Sequence, residues 1–217
     1  MNQTGVGTEH RKAKPLGPRL AVWLASMAVA AAALILAYRS ESKSSLPYLG
    51  ALPSFEAMAA MPDGGEPFKS QEFLGRPWIA GFIFTHCGGP CPMLTANMAK
   101  LQKKLPGDVR LATFTVDPQR DTTDAMREYA RRFGADLKRW RFLRMERNNL
   151  YPLLADGFKL SISEDASAPS GLRISHSAKL VLVDGAGSIR GYYDGEDAQA
   201  LKKLAKEAAG LLNKSDK

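Results

Sequence analysis

"FIFTHCGGPCPML", residues 82–94, contains both cysteines of the chain, Cys87 and Cys91, with three residues between them. It begins inside the apolar run 78–84, whose length and content of aromatic and β-branched residues are typical of a strand buried on both faces. After Cys91, apolar residues recur at spacings of four, three and four, which predicts a helix that ends at Pro106. The two cysteines are therefore predicted to lie where a central strand passes into a helix.

The sequence after this helix alternates between strand and helix patterns. Strands are predicted at 109–116, at 140–143 and in a hairpin with its turn at 184–187, and helices at 121–133, 149–157 and 196–212. Residues 163–175 are polar and rich in turn formers, which indicates a loop beside the site. This order predicts a thioredoxin-like α/β fold, in which helices flank one mixed central sheet.

An apolar stretch near the N-terminus predicts a membrane anchor. Residues 20–38 are 19 uncharged residues, enough for a helix to cross a hydrocarbon core of about 30 Å. The run exceeds the roughly 7–15 apolar residues of a cleavable signal peptide, which favours an uncleaved transmembrane helix over that alternative.

Charges around the stretch predict its orientation. Arg11, Lys12, Lys14 and Arg19 precede it, whereas acidic and basic residues are mixed behind it, so the N-terminus is expected in the cytoplasm and the remainder outside. We expect a single-pass protein of the inner membrane with a cytoplasmic tail at 1–19, an anchor at 20–38, a linker at 39–52 and a periplasmic domain at 53–213. Part of the net charge of +8 lies in the tail, and no nucleic-acid motif accompanies it, so nucleic acid is not an expected partner.

The cysteine pair admits three interpretations. A purely structural disulfide is disfavoured because so small a ring closes little loop entropy. A helix start is expected to lower the pKa of both thiols, and thiolate is the form needed for redox exchange or metal binding. The usual redox spacing is Cys-x-x-Cys, and the extra residue here lets two sulfurs spread around a soft ion such as Cu(I), or zinc.

A metal site would need at least one more donor, and a histidine is the natural candidate. His10 is expected on the cytoplasmic side, and His86 should point away from its neighbour Cys87, as a loop or surface residue. His176 directly precedes the predicted hairpin, where thioredoxin-type enzymes hold a cis-proline. From the residues alone, a ligand role and an ordinary hydrogen-bonding role for His176 are equally supported. The helix pattern assigns Met98 to the core and leaves Met93 open.

Several motifs together resemble one family. "FIFTHCGGPCPML", "TVDPQRDT" (115–122), "FGAD" (133–136) with "RWRFL" (139–143), "HSAKLVLVD" (176–184) and "IRGYYDG" (189–195) occur in the order and spacing of the Sco/SenC family. The resemblance extends from about Pro53 to Leu212. Members of this family often have less flexible residues at the positions of Gly88 and Gly89. This difference removes no metal ligand.

The resemblance implies a membrane-anchored copper protein that serves cytochrome c oxidase assembly. It maps the copper ligands to Cys87, Cys91 and His176, with Cu(I) as the main bound state and Cu(II) as a second. Asp117 and Asp121 match a segment near the family's site, and Asp121 is also expected to cap the following helix. The implied partner is the oxidase subunit that receives copper at its dinuclear centre, so the chain is expected to be a carrier and not an enzyme.

An enzymatic alternative stays open at this point. The same cysteines could serve a thiol–disulfide oxidoreductase that reduces the cysteines of the acceptor. Outside the cytoplasm the pair can oxidise, so a copper carrier would also need a thiol reductant as a partner. A peroxidase is disfavoured because its usual Pro-x-x-x-Thr-x-x-Cys pattern is missing.

Overall fold

The computed structural model describes residues 46–164, 174–176 and 178–212, and it gives only the course of the main chain for 162–164 and 174–176. Of the first 45 residues it describes Trp23, Met27 and Val29, each helical and exposed. The predicted tail, the predicted span at 20–38 and most of the predicted linker thus lie outside the described residues. Within the part that is described, no helix combines the length and apolar character needed to cross a membrane.

A mixed sheet forms the centre of the domain. Among the described residues it has seven strands in the order β2-β1-β5-β4-β3-β8-β9, with β3, β4 and β5 parallel and the other pairs antiparallel. Two further strands, β6 and β7, pair only with each other. The bounds are β1 Glu56–Met61, β2 Gly64–Lys69, β3 Trp78–Ile83, β4 Arg110–Thr115, β5 Trp140–Arg144, β6 Ile162–Glu164, β7 Ile174–His176, β8 Lys179–Val183 and β9 Ile189–Asp194.

Helices flank the sheet, and they form where the sequence predicts them. Their bounds are α1 Cys91–Lys104, α2 Thr123–Arg132, α3 Arg147–Pro152 and α4 Ala198–Leu212, with a 3₁₀ turn at Ser70–Phe73 and a π turn at Leu153–Gly157. The π turn occupies the second half of the helix predicted at 149–157. The thioredoxin-like arrangement of a mixed sheet with flanking helices is as expected.

Strand β3 is buried on both faces, and the two faces differ. On one face, Phe82 stacks on Phe114 with ring centroids 5.6 Å apart and meets Phe158 edge-on at 5.0 Å. Burial of each such ring contributes roughly 1.5–3 kcal/mol. On the other face, a Cβ at Gly81 would lie 2.6 Å from Met98 Sδ, so a glycine lets α1 pack closely on the sheet. Met98 is fully buried, as its place in the helix pattern predicts.

The two ends of the sheet bring together different segments. Trp78 lies opposite Arg110 and Ile83 opposite Thr115, so the segments after β3 and β4 leave the sheet at the same end. We call this the cysteine end. The antiparallel β8 begins there and runs back until Val183 pairs with Trp78 at the other end, which we call the far end.

The loop predicted at 163–175 is partly wrong. Its two ends form the antiparallel strands β6 and β7, in which Ile162 lies opposite His176. Each of these strands is only three residues long, and the polar, turn-rich residues between them favoured a loop. Residues 165–173 lie outside the described part of the chain.

Candidate functional site

The two cysteines meet at the cysteine end of the sheet. Cys87 lies in the turn after β3, where its N–H donates to the carbonyl of Phe84 at 3.2 Å and its half-buried Sγ accepts the N–H of Gly89 at 3.3 Å. Cys91 is the first residue of α1 and is completely buried. Both cysteines are free thiols, and the Cys91 thiol hydrogen-bonds to Cys87.

The environment of Cys91 corrects one prediction. The helix start was expected to lower the pKa of both thiols, but the pKa of Cys91 is raised well above its usual range. Burial is the main cause, and the hydrogen bond and charge of Cys87 add to it, while the main chain at Phe84 offsets only part. Desolvation of the charged form therefore outweighs the helix dipole at this buried position. The pair is asymmetric, with one accessible sulfur and one buried neutral thiol.

A buried tyrosine supports the first turn of α1. Thr95 Oγ1 donates to the carbonyl of Cys91 at 2.9 Å, and the Tyr129 hydroxyl lies 3.1 Å from the same Oγ1. Because the single hydroxyl hydrogen of Thr95 is already used, Tyr129 is the donor to Thr95. Burial raises the pKa of Tyr129 to about 12, and negative charge on either cysteine would raise it further. The sequence does not reveal these hydrogen bonds, because Tyr129 fits an ordinary apolar helix face.

Asp121 ties the cysteine turn to the neighbouring strand. Its carboxylate is fully buried and accepts the N–H of Thr85 at 3.0 Å, the hydroxyl of Thr85 at 2.6 Å and the hydroxyl of Thr115 at 2.5 Å. The expected capping role is wrong, since Thr122 caps α2 by accepting the N–H of Ala125 at 3.1 Å. The buried partners explain the difference, because Asp121 is turned into the sheet and away from the helix.

Asp117 also lies at the cysteine end but has different partners. Its carboxylate pairs with Arg120, and its N–H donates to Thr115 Oγ1 at 3.0 Å. The hydroxyl of Thr115 thus links the two aspartates.

The histidines occupy different places. The His86 side chain is 62% exposed, and its Nδ1 lies 3.0 Å from Thr85 Oγ1 and 3.6 Å from Asp121 Oδ1, consistent with a loop residue. His176 ends strand β7, and its side chain lies outside what the structure describes. In the described parts of the chain, no three His, Cys, Asp or Glu side chains are grouped closely enough to hold a metal ion.

The main chain just after His176 lies against α1. The N–H of Gly195 donates to the carbonyl of Ala178 at 3.0 Å. A Cβ at position 195 would lie 2.8 Å from that carbonyl oxygen and 2.1 Å from Cδ1 of Leu94, in the first turn of α1. The chain two residues beyond His176 is therefore packed near the helix that begins with Cys91.

Known sequences and structures that are similar to this chain show the family to which it belongs. The SCO1/SenC family model matches residues 54–212. This chain belongs to the SCO1/SenC family. A SCO1 protein homologue of Bacillus subtilis is 30% identical over 60% of this chain and 68% of its own length. A candidate copper-binding protein of Stutzerimonas stutzeri is 29% identical over 68% of this chain and 71% of its own.

Solved structures agree with this membership. A SCO1/SenC family lipoprotein from Bacillus anthracis superposes with a TM-score of 0.68 and 28% identity, over 77% of this chain and 99% of the other. BsSco, described as a member of the Sco family of cytochrome c oxidase assembly proteins with a disulfide switch, gives a TM-score of 0.65 and 25% identity over 77% and 98%. The resemblance found from the motifs is thus confirmed.

Proposed function

We propose that this protein is a membrane-anchored copper carrier for cytochrome c oxidase assembly. It binds Cu(I), and in a second state Cu(II), through Cys87, Cys91 and His176, and it delivers copper to the dinuclear centre of an oxidase subunit. The observation that carries this proposal is the pair of free thiols at the start of α1, in a SCO1/SenC chain. Two sulfurs in hydrogen-bond contact form a soft donor pair of the kind that Cu(I) prefers.

The asymmetry of the pair suits transfer. Cys91 is buried, whereas Cys87 is half-buried and lies in a turn with two glycines. A thiolate of the acceptor can approach copper from the side of Cys87 while Cys91 still holds it. Copper binding displaces thiol protons, so the metal also offsets the cost of ionising the buried Cys91.

His176 is the proposed third ligand. Support comes from the main chain, since Gly195 donates to the carbonyl of Ala178 and also lies close to Leu94 in the first turn of α1. One nitrogen ligand added to two thiolates would complete a three-coordinate site. Asp117 and Asp121 bind no metal in this proposal, and Asp121 fixes the turn that carries Cys87.

The proposed location is the outer face of the inner membrane. The predicted span at 20–38 anchors the chain with its N-terminus in the cytoplasm, and the domain lies in the periplasm. The similar Bacillus anthracis protein is called a lipoprotein, which agrees with membrane attachment. A thiol reductant is a required partner, because oxidation to a disulfide removes two electrons and two protons and with them both thiolate ligands.

Copper titration of the reduced full-length chain tests the ligand set. Competition against a chromogenic Cu(I) chelator should give one Cu(I) per wild-type chain. His176→Ala should weaken binding at least about tenfold, the loss typical of removing a residue that merely supports a ligand. His86→Ala is the matched control and should bind as wild type, because that ring is exposed and the bonds from Thr85 to Asp121 that fix the turn remain. Equal affinity of the two variants would overturn the assignment of His176, and equal binding by oxidised protein would overturn that of the cysteines.

A second function, thiol–disulfide oxidoreductase, is favoured by one observation. An accessible Cys87 beside a buried Cys91 resembles an attacking and a resolving thiol, and BsSco is described as having a disulfide switch. In that reaction Cys87 thiolate attacks a substrate disulfide, and Cys91 then attacks the mixed disulfide and releases the reduced substrate. Turnover with a thiol reductant that survives His176→Ala but not Cys87→Ser would identify this activity.

A further inference from the structure

The end of the domain remote from the cysteines carries an unusual surface. It is formed by the end of α1 with the following loop, the end of α2 with the following loop, and the segment just before β3. Exposed cations lie on these segments, namely Arg76, Lys103, Lys104, Arg132 and Lys138. We call this set the far-end surface.

The segments of the far-end surface form one continuous region. Gln102 near the end of α1 donates to the carbonyl of Gly134 after α2 at 3.2 Å, and it accepts the N–H of Asp136 at 2.8 Å. Arg76 pairs with Asp108 at 3.0 Å and so joins the segment before β3 to the loop after α1. Basic residues therefore share one face.

Positive charge exceeds negative charge on this face. Asp108 and Asp136 are the acids of the two loops, and Asp63 lies at the nearby tip of the β1–β2 hairpin. Half-buried Arg110 opens strand β4 at the same end, where burial first and then the charges of Arg76 and Arg141 lower its pKa. Glu72 and Asp108 oppose this lowering, so Arg110 has acids as well as cations around it.

Exposed apolar side chains also gather at this end. Beyond residue 45, the large exposed apolar side chains of the described chain are Tyr48, Leu49, Leu74 and Met93. Leu49 is bonded through its N–H to the carbonyl of Ile189 at 3.0 Å, and the residue after Leu74 is bonded to Gly185 at 2.8 Å. The first three thus surround the turn between β8 and β9 at the far end, and only Met93 lies at the cysteine end.

Basic, aromatic and aliphatic side chains on one face are the composition of a membrane-interface surface. The chain also enters the domain here, because residues 49–52 bond to residues 187–189. From the end of the predicted span at residue 38, residues 39–45 can extend over at most about 25 Å. The cysteine end carries mixed charge, since Asp124 and Glu146 pair there with Arg127 and Arg144. Its exposed Glu196 and Asp197 are acids that an anionic bilayer repels.

We propose that the far-end surface rests on anionic phospholipid headgroups. Arg76, Lys103, Lys104, Arg132 and Lys138 face the lipid phosphates, and Tyr48, Leu49 and Leu74 enter the interface. This contact turns the dithiol away from the bilayer, toward a partner that reaches above the membrane surface. The proposal rests on the membrane anchoring in the proposed function and adds a defined orientation to it.

Hydrogen exchange of the full-length chain in lipid nanodiscs tests the contact. Discs of phosphatidylcholine alone are compared with discs that also contain phosphatidylglycerol. We expect slower amide exchange in residues 103–110 and 131–139 with the anionic lipid, and loss of this protection at high salt because the attraction is screened. Exchange in residues 85–90, at the cysteine end, should be the same in both.

A matched pair of variants separates lipid contact from general charge. Lys103→Gln, Lys104→Gln and Lys138→Gln together should abolish the lipid-dependent protection. Lys202→Gln, Lys203→Gln and Lys206→Gln together, in α4, remove the same charge and should keep it. Equal exchange in both lipids, or protection that follows protein concentration and so reports a second copy, would overturn the proposal.

Copper binding distinguishes the two proposals. The far-end variant should bind one Cu(I) like the wild type, since the altered lysines lie at the opposite end from the cysteines. A wild-type chain that shows lipid-dependent protection but binds no copper would refute the carrier function and leave the membrane contact standing. The reverse result would refute the contact alone.

Discussion

Both oxygens of the buried Asp121 carboxylate hold Thr85, two residues before Cys87. Oδ2 accepts the main-chain N–H of Thr85 at 3.0 Å, and Oδ1 accepts its hydroxyl at 2.6 Å. The same carboxylate accepts the hydroxyl of Thr115 at the end of β4. The turn that carries the accessible cysteine is thus fixed to the neighbouring strand through one acid.

Asp121→Asn should destabilise the protein. The carboxylate accepts hydrogen bonds from Thr85 N–H, Thr85 Oγ1 and Thr115 Oγ1. In the variant a single amide oxygen must accept them, and the new NH₂ group faces hydrogen-bond donors. We expect the free energy of unfolding to fall by about 1–3 kcal/mol, the usual cost of an unsatisfied buried polar group. Denaturant unfolding of the full-length chain measures it. Asp63→Asn, at an exposed hairpin tip, is the control and should change stability by less than about 0.5 kcal/mol. Equal stability of the two variants would contradict this role.

Tyr129→Phe should change how stability depends on pH. At neutral pH it removes the hydrogen bond to Thr95, which costs about 0.5–1.5 kcal/mol. The folded pKa of Tyr129 is raised to about 12 from an ordinary value of 10.0, so the neutral phenol stabilises the fold below pH 10, and this is lost as pH rises toward 12. The variant lacks that loss, so the two stability curves should converge above pH 10. Curves that stay parallel in unfolding experiments at pH 8–11 would contradict the prediction.

The central elements of the fold could be predicted, whereas its edge could not. Strand β3 and helix α1 follow from apolar patterns that burial imposes locally. The hairpin of β1 and β2 has alanines, a Gly-Gly pair and a proline, which have little intrinsic preference for strands. It forms because β1 pairs with β5 in the assembled sheet, a contact that no local pattern encodes.

The place of the two cysteines could be predicted, but the residues that support them could not. The spacing and position of Cys87 and Cys91 could be read from one short stretch. The role of Asp121 depends on Thr85, which lies 36 positions away in sequence, so local rules favoured helix capping instead. The raised pKa of Cys91 likewise results from burial by the whole fold, which a helix-start argument does not include.

Alkylation should distinguish the two thiols. Each unit by which the Cys91 pKa rises lowers its thiolate fraction at neutral pH about tenfold, and burial further restricts access. In the reduced native protein without copper, iodoacetamide should therefore modify Cys87 at least about tenfold faster than Cys91. Mass spectrometry of the cysteine peptides measures both rates, and unfolding in guanidinium should make them similar. Faster modification of Cys91 in the native state would contradict the asymmetry.

Gly195→Ala tests the packing that supports His176 as a ligand. The new Cβ would lie 2.1 Å from Leu94 Cδ1 and 2.8 Å from the carbonyl oxygen of Ala178, so the Leu94 side chain must turn and the main chain at Ala178, two residues beyond His176, must move away from position 195. We expect a stability loss of about 1–3 kcal/mol from overpacking and weaker Cu(I) binding, while the alkylation rate of Cys87 stays unchanged. Gly210→Ala is the control, because its Cβ meets nothing within 4 Å in helix α4, and it should be neutral or stabilising by up to about 1 kcal/mol. Wild-type copper affinity in a measurably destabilised Gly195→Ala protein would show that the segment after His176 does not position a ligand.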